Sequence, residues 1–367
     1  MRAVRDLRSG GPEVLEVTEV AEPELTPGGV LIEVTAAGLN RADVLQRQGH
    51  YPVPEDATDV FGLEVSGTVL ELGQEVPETL GFAVGDRVVA LVDSGGYAER
   101  AVAPWEQVLP LPDGVDPVAA AGLPEVAATV FSNVFMAAAA REGETLLVHG
   151  GAGGIGTHAI QVARALGMRV LATVGSAEKA RVVEELGATA ISYRDEDFVV
   201  RARELTDGRG VDVILDVVGG KYLEPNLRAL AANGRIVVIG MQGGAKGELD
   251  VGLLLQKRAA LIGTTLRARP ATEKAAIMAA VREHVWPLLA SGAVRPLVSR
   301  TFPLDQVREA HEYFDSGSHV GKVLLSMWRA RRRAGPPGRA RGAARIQSCA
   351  PSHAFSSVLA RRSEPSP

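Results

Sequence analysis

The sequence predicts an α/β protein in two parts, a compact β-barrel and a doubly wound parallel sheet, and three observations carry that prediction. Gly151-x-Gly153-x-x-Gly156 stands between a short apolar run and a segment of helical periodicity. From Thr145 onward, apolar runs alternate with helical patterns, as in successive βαβ units. Before about residue 118 the chain instead reads as short strands divided by glycine turns.

The 367 residues suggest about two domains, and 46% apolar residues supply their cores. No apolar run reaches the ~18 residues of a membrane-spanning helix. Met1-Arg-Ala-Val-Arg-Asp-Leu-Arg8 carries charges where a signal peptide needs its apolar stretch. Cys349 is the single cysteine, so no internal disulfide or multi-cysteine metal site can form. A soluble, cytoplasmic protein is expected. The net charge of −5 conceals a split: nine arginines and one acid follow residue 328, which leaves −13 on the preceding part. An acidic body argues against nucleic acid as a partner.

In the first part, strands are expected at 14–20, 30–36, 61–72, 86–92 and 96–102, with Pro27-Gly-Gly29 as a turn. Residues 116–140 read as helical, rich in alanine. The strand at 145–149 then feeds the glycine motif and a helix carrying Ile155, Ala159, Ile160, Val162, Ala163 and Leu166. Gly151, Gly153, Gly154, Ile155 and Gly156 form the predicted phosphate cradle. Glycine permits the tight turn and close approach of backbone to a pyrophosphate, and the helix N-terminus offers free N–H groups. Strands at 169–174, 190–193, 211–218, 234–240 and 259–264 complete a six-stranded sheet, with helices at 177–186 and 195–205. Helices at 271–290 and 304–314 and strands at 297–302 and 322–326 no longer alternate, so the chain is expected to return to the first domain. The expected division is 1–118 with 267–328, then 119–266, then an Arg-rich tail, 329–367, expected to be disordered.

Ala37-Gly-Leu-Asn-Arg-Ala-Asp43, Gln48-Gly-His-Tyr-Pro52, Gly62-Leu-Glu-Val-Ser-Gly67, Gly95-Gly-Tyr-Ala-Glu99, the glycine motif and Gly321-Lys-Val-Leu324 together carry a resemblance. Over residues 1–326 the chain resembles the zinc-independent quinone oxidoreductase branch of the medium-chain dehydrogenase/reductase superfamily, the group that includes zeta-crystallin. The resemblance implies a GroES-like barrel, a Rossmann domain and a cleft between them. Zinc alcohol dehydrogenases of the superfamily have a cysteine where this chain has Asn40 and a histidine where it has Leu63. A catalytic zinc needs about three protein ligands, so zinc is not expected. Without a Lewis acid the suitable acceptor is a quinone, or an alkene conjugated to a carbonyl.

Charge points to the cofactor. An NAD site carries an acid about 20 residues beyond the glycines. Here the second strand ends in Val174-Gly-Ser-Ala177 with Lys179 close behind. Ser176 and Lys179 suit a 2′-phosphate, and Tyr193 matches the tyrosine with which the family grips it, so NADPH is expected. By resemblance, Asn40 and Thr129 face the nicotinamide, Gly240, Met241, Thr264 and Leu266 line the cleft, and Lys322 approaches the ribose phosphates. Tyr51 is the candidate for substrate contact and proton donation, and Asn40 orients cofactor or substrate. Asp43 is expected to cap a short helix, and Asp216 to stabilise a turn or face the cleft.

The expectation is an NADPH-dependent, zinc-independent quinone reductase. An enone or enoyl reductase of the same fold, and a cofactor-holding crystallin-like structural protein with little turnover, are the alternatives. The strand ending at Leu266 could pair across a two-fold axis, so a homodimer is expected.

Overall fold

The computed structural model describes residues 1–6, 8–51, 53–54 and 57–327, which lie in one compact unit running from Met1 to Arg329. The tail expected to be disordered lies outside the described residues.

Six parallel strands form one sheet in the spatial order Thr189–Ser192, Arg169–Val174, Thr145–Val148, Val211–Asp216, Leu230–Val238, Ala260–Gly263. Chain order therefore reverses at Thr145–Val148, where the crevice beyond the strand ends takes a dinucleotide in folds of this class. Both faces are covered. Leu146, Val148, Ala172 and Leu215 belong to one apolar cluster, while Leu147, Leu171, Ile214 and Ile236 belong to another. Burial on both faces explains why these strands read as continuous apolar runs and not as alternating ones.

The second sheet has seven strands. Its main path runs Val298–Pro303, Lys322–Ser326, Gly29–Gly38, Glu64–Leu72, Arg87–Leu91, Val108–Pro110, and Arg100–Pro104 pairs with Gly29–Gly38. Lys322–Ser326 joins Gly29–Gly38 antiparallel, so the chain comes back to its first sheet as the loss of βαβ alternation suggested. Two strands escaped the sequence reading. Arg2–Asp6 pairs with Leu15–Glu19 despite its three charges, and Val108–Pro110 is only three residues long.

Several helices are shorter than periodicity predicted, each for a local reason. The helical segment 116–140 is divided into Pro117–Ala120, Pro124–Val130 and a π-helical stretch Phe131–Ala137. Pro124 cannot donate within a continuous helix. The helix expected at 195 starts at Phe198, because Asp197 caps it by accepting from Val199 N at 2.8 Å. The 271–290 segment divides into Ala271–His284 and Trp286–Ala290, with Pro287 placed in the first turn of the second. These two helices bury Ile277, Met278, Val281 and Trp286 against Leu91, Leu109 and Leu123.

Candidate active site

The glycine motif is built as a cradle. Gly153 caps the helix Gly154–Ala165. A Cβ on Gly156 would lie 2.5 Å from the carbonyl oxygens of Gly150 and Gly151, and one on Gly151 would lie 2.6 Å from Ala172 Cβ. Strand, turn and helix can close up only with glycine at these two positions. Ile155 packs against the sheet cluster. The strand behind the turn ends in a buried polar chain. Asp216 accepts from the Val218 and Gly219 amides at 2.6 and 3.2 Å and from Asn226 Nδ2 at 3.0 Å. Asn226 thereby turns its Oδ1 to His149 Nε2, 2.7 Å away, which must carry the proton. Burial lowers the His149 pKa to about 4, so the ring is neutral. Asp216 is thus a turn-stabilising residue.

At the end of the second strand, Ser176 caps the helix Ala177–Glu185 by accepting from Lys179 N at 3.3 Å. A Cβ on Gly175 would lie 2.2 Å from Tyr193 Oη, so the half-exposed Tyr193 covers Gly175. Lys179 Nζ donates to Gly317 O. Ser176, Lys179 and Tyr193 thus gather around one strand end that carries no acid.

The returning chain meets the cradle directly. Gly321 N donates to Ala152 O at 2.8 Å, and Gly321 has φ 75°. A Cβ there would lie 2.2 Å from Leu297 O. The Lys322 side chain then passes between glycines: Cβ atoms on Gly122 and Gly154 would lie 2.9 and 2.6 Å from it. Its ammonium is buried and donates three times, to Leu39 O at 2.9 Å, Asn40 Oδ1 at 2.7 Å and Glu64 Oε1 at 2.6 Å. Asn40 Nδ2 donates to the same Glu64 oxygen at 2.9 Å, and Glu64 Oε2 accepts from Glu125 N at 2.9 Å.

Asn40 precedes the helix Arg41–Arg47, and its amide N–H donates to Asp43 Oδ2 at 2.7 Å. Asp43 therefore caps, as expected, and also accepts from Tyr97 Oη at 2.9 Å. Burial raises the Asp43 pKa to about 6, against the pull of these donors. Thr129 is buried one turn beyond Glu125, with its Oγ1 3.5 Å from Glu125 Oε1. Burial first, and the Glu64 carboxylate second, raise the Glu125 pKa to about 8. Tyr51 lies under Arg267, whose guanidinium carbon is 5.6 Å from the ring centroid. Burial and the charge of Glu125 push the Tyr51 pKa above its ordinary value.

Of the remaining expected cleft residues, Gly240 closes on Val217, since a Cβ would lie 2.8 Å from its carbonyl oxygen, and Met241 is exposed. Thr264 donates to Asn133 Oδ1. Leu266 is packed in the apolar cluster under the helix at Ala271–His284, so its side chain contributes to core packing. Glu64, Glu125 and Arg267 were missed as site residues. Arg267 is buried and donates to Asp93 O at 2.6 Å and Gln46 Oε1 at 2.7 Å. A signal existed: Glu64 and Glu125 are lone acids inside apolar runs.

Among the described residues no group of three or more His, Cys, Asp and Glu could hold a metal ion, and no helix is long and apolar enough to cross a membrane. A glycine turn of the dinucleotide-binding kind, joined through Gly321-Lys322 to a buried polar cluster on the second sheet, is the arrangement of a nucleotide-dependent oxidoreductase.

The comparisons agree. Residues 26–113 match the alcohol dehydrogenase GroES-like domain, and residues 154–282 match the zinc-binding dehydrogenase family. Quinone oxidoreductase from Rattus norvegicus is 33% identical over 334 residues, covering 89% of this chain and 97% of the relative. That of Pseudomonas aeruginosa is 34% identical over 322 residues, covering 86% and 96%. The structure of Escherichia coli quinone oxidoreductase complexed with NADPH superposes with a TM-score of 0.78 at 30% identity, over 89% of this chain and all of that one. The chain belongs to the quinone oxidoreductase branch of the medium-chain dehydrogenase/reductase superfamily.

Proposed function

We propose that the protein is an NADPH-dependent quinone reductase that works without zinc. The observation that carries this reading is the junction at Gly321-Lys322, where the glycine cradle touches the Asn40–Glu64 cluster. A dinucleotide laid on the cradle would run from the Ser176, Lys179 and Tyr193 end toward Asn40 and Thr129. Gly151 and Gly153 shape the turn, their N–H groups donating to Thr173 O and Gly150 O, and the first N–H groups of the helix, at Gly154, Ile155 and Gly156, are the ones that suit a pyrophosphate. Lys179 supplies the positive charge and Ser176 the hydroxyl that a 2′-phosphate needs. Lys322 and Asn40 hold each other and Glu64 in one arrangement, which orients whatever binds beside them.

When bound, the nicotinamide supplies hydride. The chain's own residues position the acceptor and manage charge. By the family resemblance, Asn40 and Leu63 stand where zinc-dependent relatives have their cysteine and histidine ligands, and neither side chain can replace them. The acceptor is therefore one whose developing negative charge moves to a remote oxygen, and a quinone meets that need. Tyr51 is the residue assigned to contact with it. The similarity to quinone oxidoreductases and the NADPH complex of the Escherichia coli protein support the same choice.

We further propose the domain division 1–118 with 267–328 and 119–266, a cytoplasmic location, and a homodimer paired through the edge strand Ala260–Gly263. Ala260 and Leu261 on that edge are exposed, and Leu255 and Met241 are exposed large apolar residues of the same part of the chain. Calorimetric titration with NADPH and with NADH tests the cofactor assignment. Clear preference for NADPH is expected, and equal binding would contradict it.

A further inference from the structure

Hydride delivery to a quinone leaves one proton unassigned, and this inference rests on the quinone reductase reading. The cluster contains five groups with an exchangeable proton, and four are poorly placed to give it. Lys322 is spent on three acceptors and buried. Asp43 and Tyr97 are fully buried and bonded to each other at 2.9 Å. Tyr51 is made a weaker acid than ordinary tyrosine by burial and by Glu125.

Glu125 differs in geometry. It stands on the first turn of Pro124–Val130, with its backbone N–H fixed 2.9 Å from Glu64 Oε2. Its side chain keeps part of its surface open, unlike the residues on either side of it. The one side-chain partner among the described residues is Thr129 Oγ1 at 3.5 Å, on the residue expected to face the nicotinamide. Glu64, Asp43, Lys322, Arg267 and Tyr51 are the charged and titratable groups that face it. Two carboxyl groups joined through one peptide N–H, with a single ammonium on the far oxygen of Glu64, cannot both ionise cheaply. Glu125, the one without the ammonium, is the one that keeps its proton.

We propose that Glu125 is the general acid of the reaction and protonates the oxygen of the reduced acceptor. NADPH supplies the hydride, which carries both electrons and is oxidised to NADP⁺, and the quinone is reduced. Its distal oxygen gains negative charge. The Glu125 O–H bond breaks, its electron pair stays on the carboxylate, and a new O–H bond forms on that oxygen. Water restores the Glu125 proton before the next turnover. The acid is protonated and neutral at neutral pH and loses its proton near pH 8, close to the working range where general acids are most effective.

The test compares wild type with Glu125→Gln and Glu125→Asp. In the cofactor-free protein, infrared spectroscopy is expected to show a protonated carboxyl band that titrates near pH 8 and is missing in Glu125→Gln. In turnover with NADPH and phenanthrenequinone, wild type is expected to lose kcat/KM on the alkaline side, while Glu125→Gln is about 10²-fold slower and flat there. NADPH Kd should stay within a factor of two or so, and Glu125→Asp should recover the alkaline limb. If wild type turns over the quinone but Glu125→Gln keeps its rate and pH profile, or the band does not titrate, the general-acid role is wrong and the reductase reading stands. If wild type turns over no quinone at all, both are wrong.

Discussion

Lys322 Nζ lies 2.6 Å from Glu64 Oε1, and both side chains are buried although 258 positions separate them in the chain. The pair ties the last strand of the second sheet to one of its central strands, beside the glycine turn. The sequence offers no local reason for either charge. Each is tolerable only because the other is there, with Asn40 and the Leu39 carbonyl completing the hydrogen bonds.

Breaking that pair has a defined consequence. Lys322→Met leaves the Glu64 carboxylate uncompensated in a dry site and should destabilise the protein by about 3–5 kcal/mol. Adding Glu64→Gln should restore a large part of the loss. Urea denaturation of the two variants checks this, and a double variant no more stable than Lys322→Met would contradict the coupling.

Lys179→Ala should weaken NADPH binding by at least tenfold and NADH binding little, since the lost charge matters only where a 2′-phosphate exists. Calorimetric titration with each cofactor measures the difference. Equal losses would show that the phosphate is held elsewhere.

Acid should destabilise the fold through its buried histidines. His311 is fully buried, touches the Tyr97 ring edge-on at 6.1 Å, and has no hydrogen-bond partner among the described residues. Burial and the nearby Arg47 depress its pKa to about 3, below the ordinary histidine value of 6.5. Between those values the unfolded chain binds a proton that the folded one refuses, so stability is lost as pH falls below 6.5. His149 and His158, lowered to about 4, act in the same sense. Asp43, raised to about 6, and Glu125, raised to about 8, act oppositely. Single-site comparison isolates one contribution. His311→Phe should be at least as stable as wild type at neutral pH, and the gap should widen by about 2 kcal/mol on going to about pH 5. Melting curves across that range decide it, and a constant gap would contradict the assignment.

Light scattering should give the mass of two chains at micromolar concentration, and Leu261→Glu on the Ala260–Gly263 edge should shift it toward one. A wild-type monomer would remove the edge-pairing proposal.

The parts of this molecule legible from sequence are those encoded locally. Strand, glycine turn and helix at 145–165 follow from periodicity and from glycines that a Cβ would obstruct. The missing acid after Val174 is likewise read directly. The polar cluster is different in kind. Glu64 and Glu125 sit in apolar runs, and only tertiary packing, which brings Lys322 between Gly122 and Gly154, explains why an acid is tolerated there. Leu266 shows the converse: the family resemblance assigns it to the cleft, while the helix Ala271–His284 draws its side chain into the core. Arg267, one residue on, is recognisable only once Tyr51, Gln46 and Asp93 are seen around it.

The most direct test of the account is the loss of reduced-nicotinamide absorbance when purified protein is mixed with NADPH and phenanthrenequinone, with a 2-alkenal and NADH as separate controls. Rapid NADPH oxidation by the quinone, well above either control, is the predicted result. Tight NADPH binding with no oxidation by the quinone would contradict quinone reduction, and preference for the alkenal would make the protein an alkene reductase.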